Sequence, residues 1–194
     1  MRGLWVVLVA GIAACSGDRA AGRQVSEDAP PGSLGLARAP TAEELAAWNI
    51  SVNPSGSNLP PGQGTVAEGK AVFAAKCSMC HGDAGQGMPP AYPQLVGKDP
   101  TDFSFDNDFK ITHTIGNYWP YATTLYDYIN RAMPLTAPGS LTAPEIYSLV
   151  AYLLAANGVV GDDAVMNATT LPAVKMPARE HFVVDDRAGG KTFR

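Results

Sequence analysis

Cysteine and histidine are scarce in this chain, three of each in 194 residues. A structural zinc site asks for a second Cys or His pair beside the first, and the sequence has none. Basic residues are also few: 14 Lys and Arg against 18 Asp and Glu give a formal net charge of −4. That balance argues against nucleic acid and mildly for partners with a basic docking patch. The apolar run at the N-terminus, Leu4 to Ala14, is too short to cross a bilayer as a helix. No internal repeat is visible, and the length suits one compact domain with extensions.

The cysteine and histidine that are present sit together. Cys77-Ser78-Met79-Cys80-His81 has the spacing of a c-type haem attachment site. On one helical turn and its exit, the two sulfurs reach the two vinyl groups of one porphyrin. His81 is then carried under the iron as proximal ligand. A redox Cys-x-x-Cys of the thioredoxin kind belongs in a βαβ setting, whereas the surroundings here read as helical. The motif calls for one covalent haem c.

The N-terminus supplies an address. Met1-Arg2-Gly3 and the apolar run after it have the form of a signal peptide. The run ends Ile12-Ala13-Ala14-Cys15, which resembles the lipobox of bacterial lipoproteins. That resemblance implies cleavage before Cys15 and a lipid on it, an anchor that holds a protein at a membrane without crossing it. The alternative is an ordinary signal peptide, which leaves Cys15 as a free thiol in an exported protein with no evident use. Export agrees with the haem motif, because bacteria make the thioether bonds outside the cytoplasm. The expected location is the periplasm.

Residues 1–14 are thus read as signal peptide and 15–40, rich in Ala, Gly, Pro and Ser, as a flexible tether. Residues 41–62 form an N-terminal helical extension, 63–160 the haem domain and 161–194 an extended, wrapping tail. Three capping boxes mark helix starts: Thr41–Glu44, Thr65–Glu68 and Thr142–Glu145, the last with Pro144 in its first turn. The first helix runs to Trp48 and the second ends on the cysteine pair. A further helix is expected from about 122 to 132, with Leu125, Tyr128 and Ile129 at helical spacing. The last carries Ile146, Leu149, Val150, Leu153 and Leu154 and stops at Asn157-Gly158. Residues 82–117 show little periodicity, as expected where a chain wraps a large flat ligand. The fold class is all-α.

These features resemble the class I cytochromes c. In that class a Met from the loop between the last two core helices is the sixth iron ligand, and Met133 stands at that place. Met176 is its best rival, Met88 a lesser one, and Met79 lies inside the attachment loop. His113 and His181 read as a loop and a tail histidine. Pro93-Gln94-Leu95-Val96-Gly97 resembles the Pro-x-Leu-x-Gly loop of the class. The resemblance implies that the Pro93 carbonyl accepts the Nδ1 proton of His81 and that Leu95 packs on the porphyrin. Trp119, in the cluster Tyr118-Trp119-Pro120-Tyr121, suits a haem edge, with Tyr121 and Tyr126 reading more readily as core.

Thr41–Trp48, Leu59–Gly62, Gly116–Ala122, Thr124–Pro134 and Leu171–Pro177 together resemble the cytochrome subunit of the Sox sulfur-oxidation system. That resemblance implies electrons taken from a molybdenum subunit related to sulfite oxidase and passed to a downstream cytochrome or oxidase. It implies an electron carrier rather than an enzyme. Well-described members carry two haem domains and this chain has one motif, a departure that points to a different molybdoenzyme, such as a sulfite dehydrogenase, in place of the Sox sulfane dehydrogenase. A general shuttle without a dedicated dehydrogenase is the alternative. An open-iron enzyme or sensor is a further one, for which no distal His or Arg pattern is evident.

Overall fold

The computed structural model describes residues 38–97, 103, 105 and 112–183. The expected signal segment and the lipid site Cys15 lie outside them. Among the described residues no helix is long and apolar enough to cross a membrane. The chain divides into Met1–Glu44 and Leu45–Arg194. In the first unit, the Thr41 amide donates to Glu44 Oε2 at 2.8 Å and the Glu44 amide to Thr41 Oγ1 at 3.2 Å. This reciprocal box opens α1, Ala42–Trp48.

The second unit is built on α2 (Val66–Lys76) and α6 (Ala143–Ala156). Each begins where its capping box predicts, with both reciprocal hydrogen bonds formed. Between them lie α3 (Ser78–His81), α4 (Ile115–Tyr118) and α5 (Ala122–Ala132). α5 buries Ala122, Leu125, Tyr126 and Ile129, the stripe expected of an amphipathic helix, and leaves Tyr128 exposed. α6 is apolar nearly all round and its Tyr147, Val150 and Leu154 are fully buried. It ends at Asn157, followed by Gly158 at φ +71°.

α2 lies against α6 with almost no space between the backbones. Gly69 of α2 makes this possible: a Cβ there would overlap the Ser148 carbonyl oxygen and reach within 2.7 Å of Tyr152 Cβ. Phe73, one turn on, meets Tyr152 at a tilt of 48° with centroids 5.2 Å apart. Tyr126 of α5 meets Tyr147 of α6 at 4.7 Å, and the Tyr147 hydroxyl donates to the Pro60 carbonyl at 2.9 Å.

Two features depart from the sequence reading. A two-stranded antiparallel ribbon pairs β1 (Gln63–Thr65) with β2 (Val165–Asn167), Gly64 opposite Met166. Strands of three residues are too short to show alternation in a sequence. The tail is also less extended than expected. Its 3₁₀ turns at Leu171–Ala173 and Pro177–His181 carry Leu171, Met176 and Ala178 into buried positions. The fold is mostly helical, as the class requires.

Two expectations follow. Gly69→Ala forces α2 off α6 and costs about 3 kcal/mol, read by denaturant unfolding of the holoprotein. Glu145 is held down to about 2 by its hydrogen bond from the Lys76 ammonium, then by the Thr142 amide. A lowered folded pKa adds stability above the ordinary value of 4.5 that is lost as pH falls toward 2. The stability difference between wild type and Glu145→Gln, present near neutrality, is expected to vanish across that interval.

Candidate haem site

α2 runs directly into the motif. The Cys77 amide closes α2 on the Phe73 carbonyl at 2.9 Å, and the His81 amide donates to the Cys77 carbonyl at 3.0 Å. One turn, α3, thereby presents Cys77, Cys80 and His81 to a single cavity of about 510 Å³. Its walls are chiefly apolar, with Phe73, Leu125, Ile129, Leu149 and Leu153 contributed by α2, α5 and α6. The volume falls in the usual range for cofactor sites. Two thiols and an imidazole on an apolar wall fit a covalently held haem.

The electrostatics agree with neutral sulfur. Burial pushes the Cys77 thiol up to about 11, against the opposing pull of Lys76 and with a small push from Cys80. A redox or zinc-binding cysteine needs its thiolate favoured, the reverse of what is found at Cys77. A thioether is uncharged and loses nothing by burial. Among the described residues no three His, Cys, Asp or Glu side chains come together as a metal site.

His81 is aimed by its neighbours. Its Nδ1 lies 3.2 Å from the Pro93 carbonyl oxygen. A proton on Nδ1 donates to that carbonyl and leaves the Nε2 lone pair toward the cavity. The loop makes this approach through Gly87, at φ +75°, where a Cβ would stand 2.8 Å from the Pro93 carbonyl carbon. The Gly87 amide donates to the His81 carbonyl at 2.8 Å and ties the loop to the motif.

Pro93, Leu95, Trp119 and Met133 line the same cavity as the motif. Met133 follows α5 directly, its amide donating to the Ile129 carbonyl at 3.1 Å. Trp119 meets Tyr128 edge-on at 5.8 Å. Met79 also lines the cavity, whereas Met88 and Met176 do not. Met176 is buried in the core instead. Tyr126 is core as read, while Tyr121 is half-buried beneath the Arg179 guanidinium at 5.0 Å. His113 lines the cavity and His181 does not.

Two residues carry more than their sequence signals indicated. Tyr92 lies beside the motif, its ring 6.3 Å from that of His81, and its phenol is raised by a hydrogen bond with the Cys80 side chain. Asn157 reads in the sequence as a helix stop, yet its buried amide makes four bonds. Its Oδ1 accepts from Gly97 and Gly116 amides at 3.0 and 3.2 Å. Its Nδ2 donates to Leu95 and Leu153 carbonyls at 3.2 and 2.8 Å. One side chain thus fastens the Pro93–Gly97 loop and α4 to the end of α6. Partners so far away in the chain leave no local signal.

Residues 66–157 match the family model for cytochrome c. The chain is also similar to one in the crystal structure of the sulfane dehydrogenase SoxCD from Paracoccus pantotrophus. The two share 42% identity with a TM-score of 0.70, covering 79% of this chain and 73% of that one. The chain belongs to the cytochrome c family. Its fold is that of a class I cytochrome c, its cofactor is covalent haem c, and it is an electron-transfer domain. This cytochrome is 31% identical over 119 residues to a thiosulfate dehydrogenase of Stutzerimonas stutzeri (strain A1501). The match takes in 59% of the cytochrome but 34% of that protein, so the chain spans about a third of its relative.

Asn157→Ala in this cytochrome leaves the buried Gly116 amide, the part-buried Gly97 amide and two carbonyls without their partner. It is expected to cost about 3 kcal/mol in holoprotein unfolding by denaturant.

Proposed function

We propose that this cytochrome is a one-electron carrier of the periplasm with a single haem. Cys77 and Cys80 would form its thioethers, and His81 and Met133 would be its two iron ligands. The observation that carries the reading is the placement of the methionines. Among the described ones only Met79 and Met133 line the cavity, and Met79 lies between the two cysteines with 82% of its surface exposed.

Bound haem supplies the one-electron couple. His81 offers Nε2, with its ring orientation and tautomer set by the Pro93 carbonyl. Met133 offers a neutral thioether, which favours ferrous iron and raises the potential. Leu95 and the apolar side chains of α2, α5 and α6 would exclude water from a bound haem, and Trp119 would pack against it. Both ligands stand on backbone fixed by helix hydrogen bonds, at α3 and at the end of α5. Neither has to move between redox states, so little reorganisation accompanies each electron.

The electrons come from a molybdenum subunit related to sulfite oxidase and pass to a downstream cytochrome or an oxidase. The likeness to the SoxCD chain and to the thiosulfate dehydrogenase supports a sulfur-compound dehydrogenase as the source. A lipid on Cys15 holds the chain at the membrane, and residues 15–40 give it reach. The chain itself carries electrons and does no substrate chemistry.

The test is the optical spectrum of the oxidised holoprotein. Wild type is expected to show the Met–iron charge-transfer band, and Met133→Ala to lose it together with a fall in reduction potential. Met176→Ala is expected to keep both. A band that survives in Met133→Ala contradicts the assignment.

A further inference from the structure

One wall of the haem cavity continues outward as a column of stacked rings. His113 lines the cavity, and its imidazole lies on Tyr118 with centroids 3.9 Å and planes 15° apart. Tyr118, the last residue of α4, is stacked on Phe103 at 5.9 Å and 15°. Phe103 in turn lies on His181 at 4.1 Å and 6°. His181 ends its 3₁₀ turn exposed to solvent. Phe105 and Phe182 meet Phe103 edge-on at 4.7 and 6.0 Å and brace it from the side.

Three parallel stackings in succession are more than packing demands, since aromatic pairs are equally content edge-on. None of these six rings belongs to the buried core. The outer end is apolar and open, with Phe105 57% exposed. The column therefore runs from the cavity wall to the surface on the side of the tail as three successive stacked pairs.

We propose that the His113–Tyr118–Phe103–His181 column is a path by which an electron crosses between the haem cavity and the surface at His181. This rests on the electron-carrier reading above. Transfer across a protein weakens steeply wherever the path must jump between groups that do not touch, and stacked rings remove such jumps. One electron leaves a reductant at the surface and arrives at the ferric haem. No ring changes oxidation state and no proton moves.

The test uses the holoprotein with a ruthenium(II) polypyridyl complex coordinated to the exposed His181 imidazole. A His181→Gln variant, without that imidazole, verifies the label's position. On a light flash the excited complex gives up one electron, and haem absorbance reports its arrival at the ferric haem. Tyr118→Leu is expected to slow arrival several-fold at unchanged reduction potential, and Tyr118→Phe, which keeps the ring, to retain the wild-type rate. Phe103→Ala is expected to slow it likewise and carries the test if Tyr118→Leu fails to fold. A wild-type rate in the ring-deleting variants overturns the proposal, as does equal slowing in Tyr118→Phe and Tyr118→Leu. Failure of the carrier reading shows separately, as an exchangeable iron ligand in the unlabelled protein.

Discussion

The contact of α2 on the backbone of α6 at Gly69 and Ser148 is the constraint from which the site follows. Because the two helices approach this closely, Phe73 and Leu149 share one wall of the cavity. The end of α2 then delivers Cys77, and α3 turns His81 into the cavity. The end of α6 delivers Asn157, whose amide holds the loop that carries Pro93 and Leu95. A loosened crossing would shift the attachment turn and the loop that aims its histidine at the same time. Stability and haem geometry are therefore coupled through one glycine.

The local signals in the sequence are strong where the physics is local. The Cys77–His81 spacing needs one helical turn, and one turn is what forms. The boxes at Thr65 and Thr142 satisfy the first amides of α2 and α6 with side chains three residues away, so a short window suffices to place both starts. Met133 is placed by the end of α5, and Pro93 by its spacing from Gly97. The seven motif, loop and ligand positions that the sequence marks from residue 77 to 133 face one cavity.

What the sequence hides is long-range. The β1–β2 pairing joins residues about a hundred positions apart through three-residue strands, which carry no period of their own. Asn157 looks like any helix stop until Gly97 and Gly116 arrive at its Oδ1. The aromatic column assembles from positions 103, 113, 118 and 181, none of which is informative beside its own neighbours. Met176 shows the converse: near Lys175 and Pro177 it could be a ligand, and only the packing of the tail puts it in the core.

A carrier whose two axial positions are both filled by its own side chains has no room for an exogenous ligand. The most direct measurement is the absorption spectrum of the reduced wild-type holoprotein at neutral pH before and after exposure to carbon monoxide. The account predicts an unchanged spectrum, because it assigns both iron ligands to side chains of this chain, His81 and Met133. Formation of a carbon monoxide complex would contradict it and point to an open iron suited to catalysis or sensing.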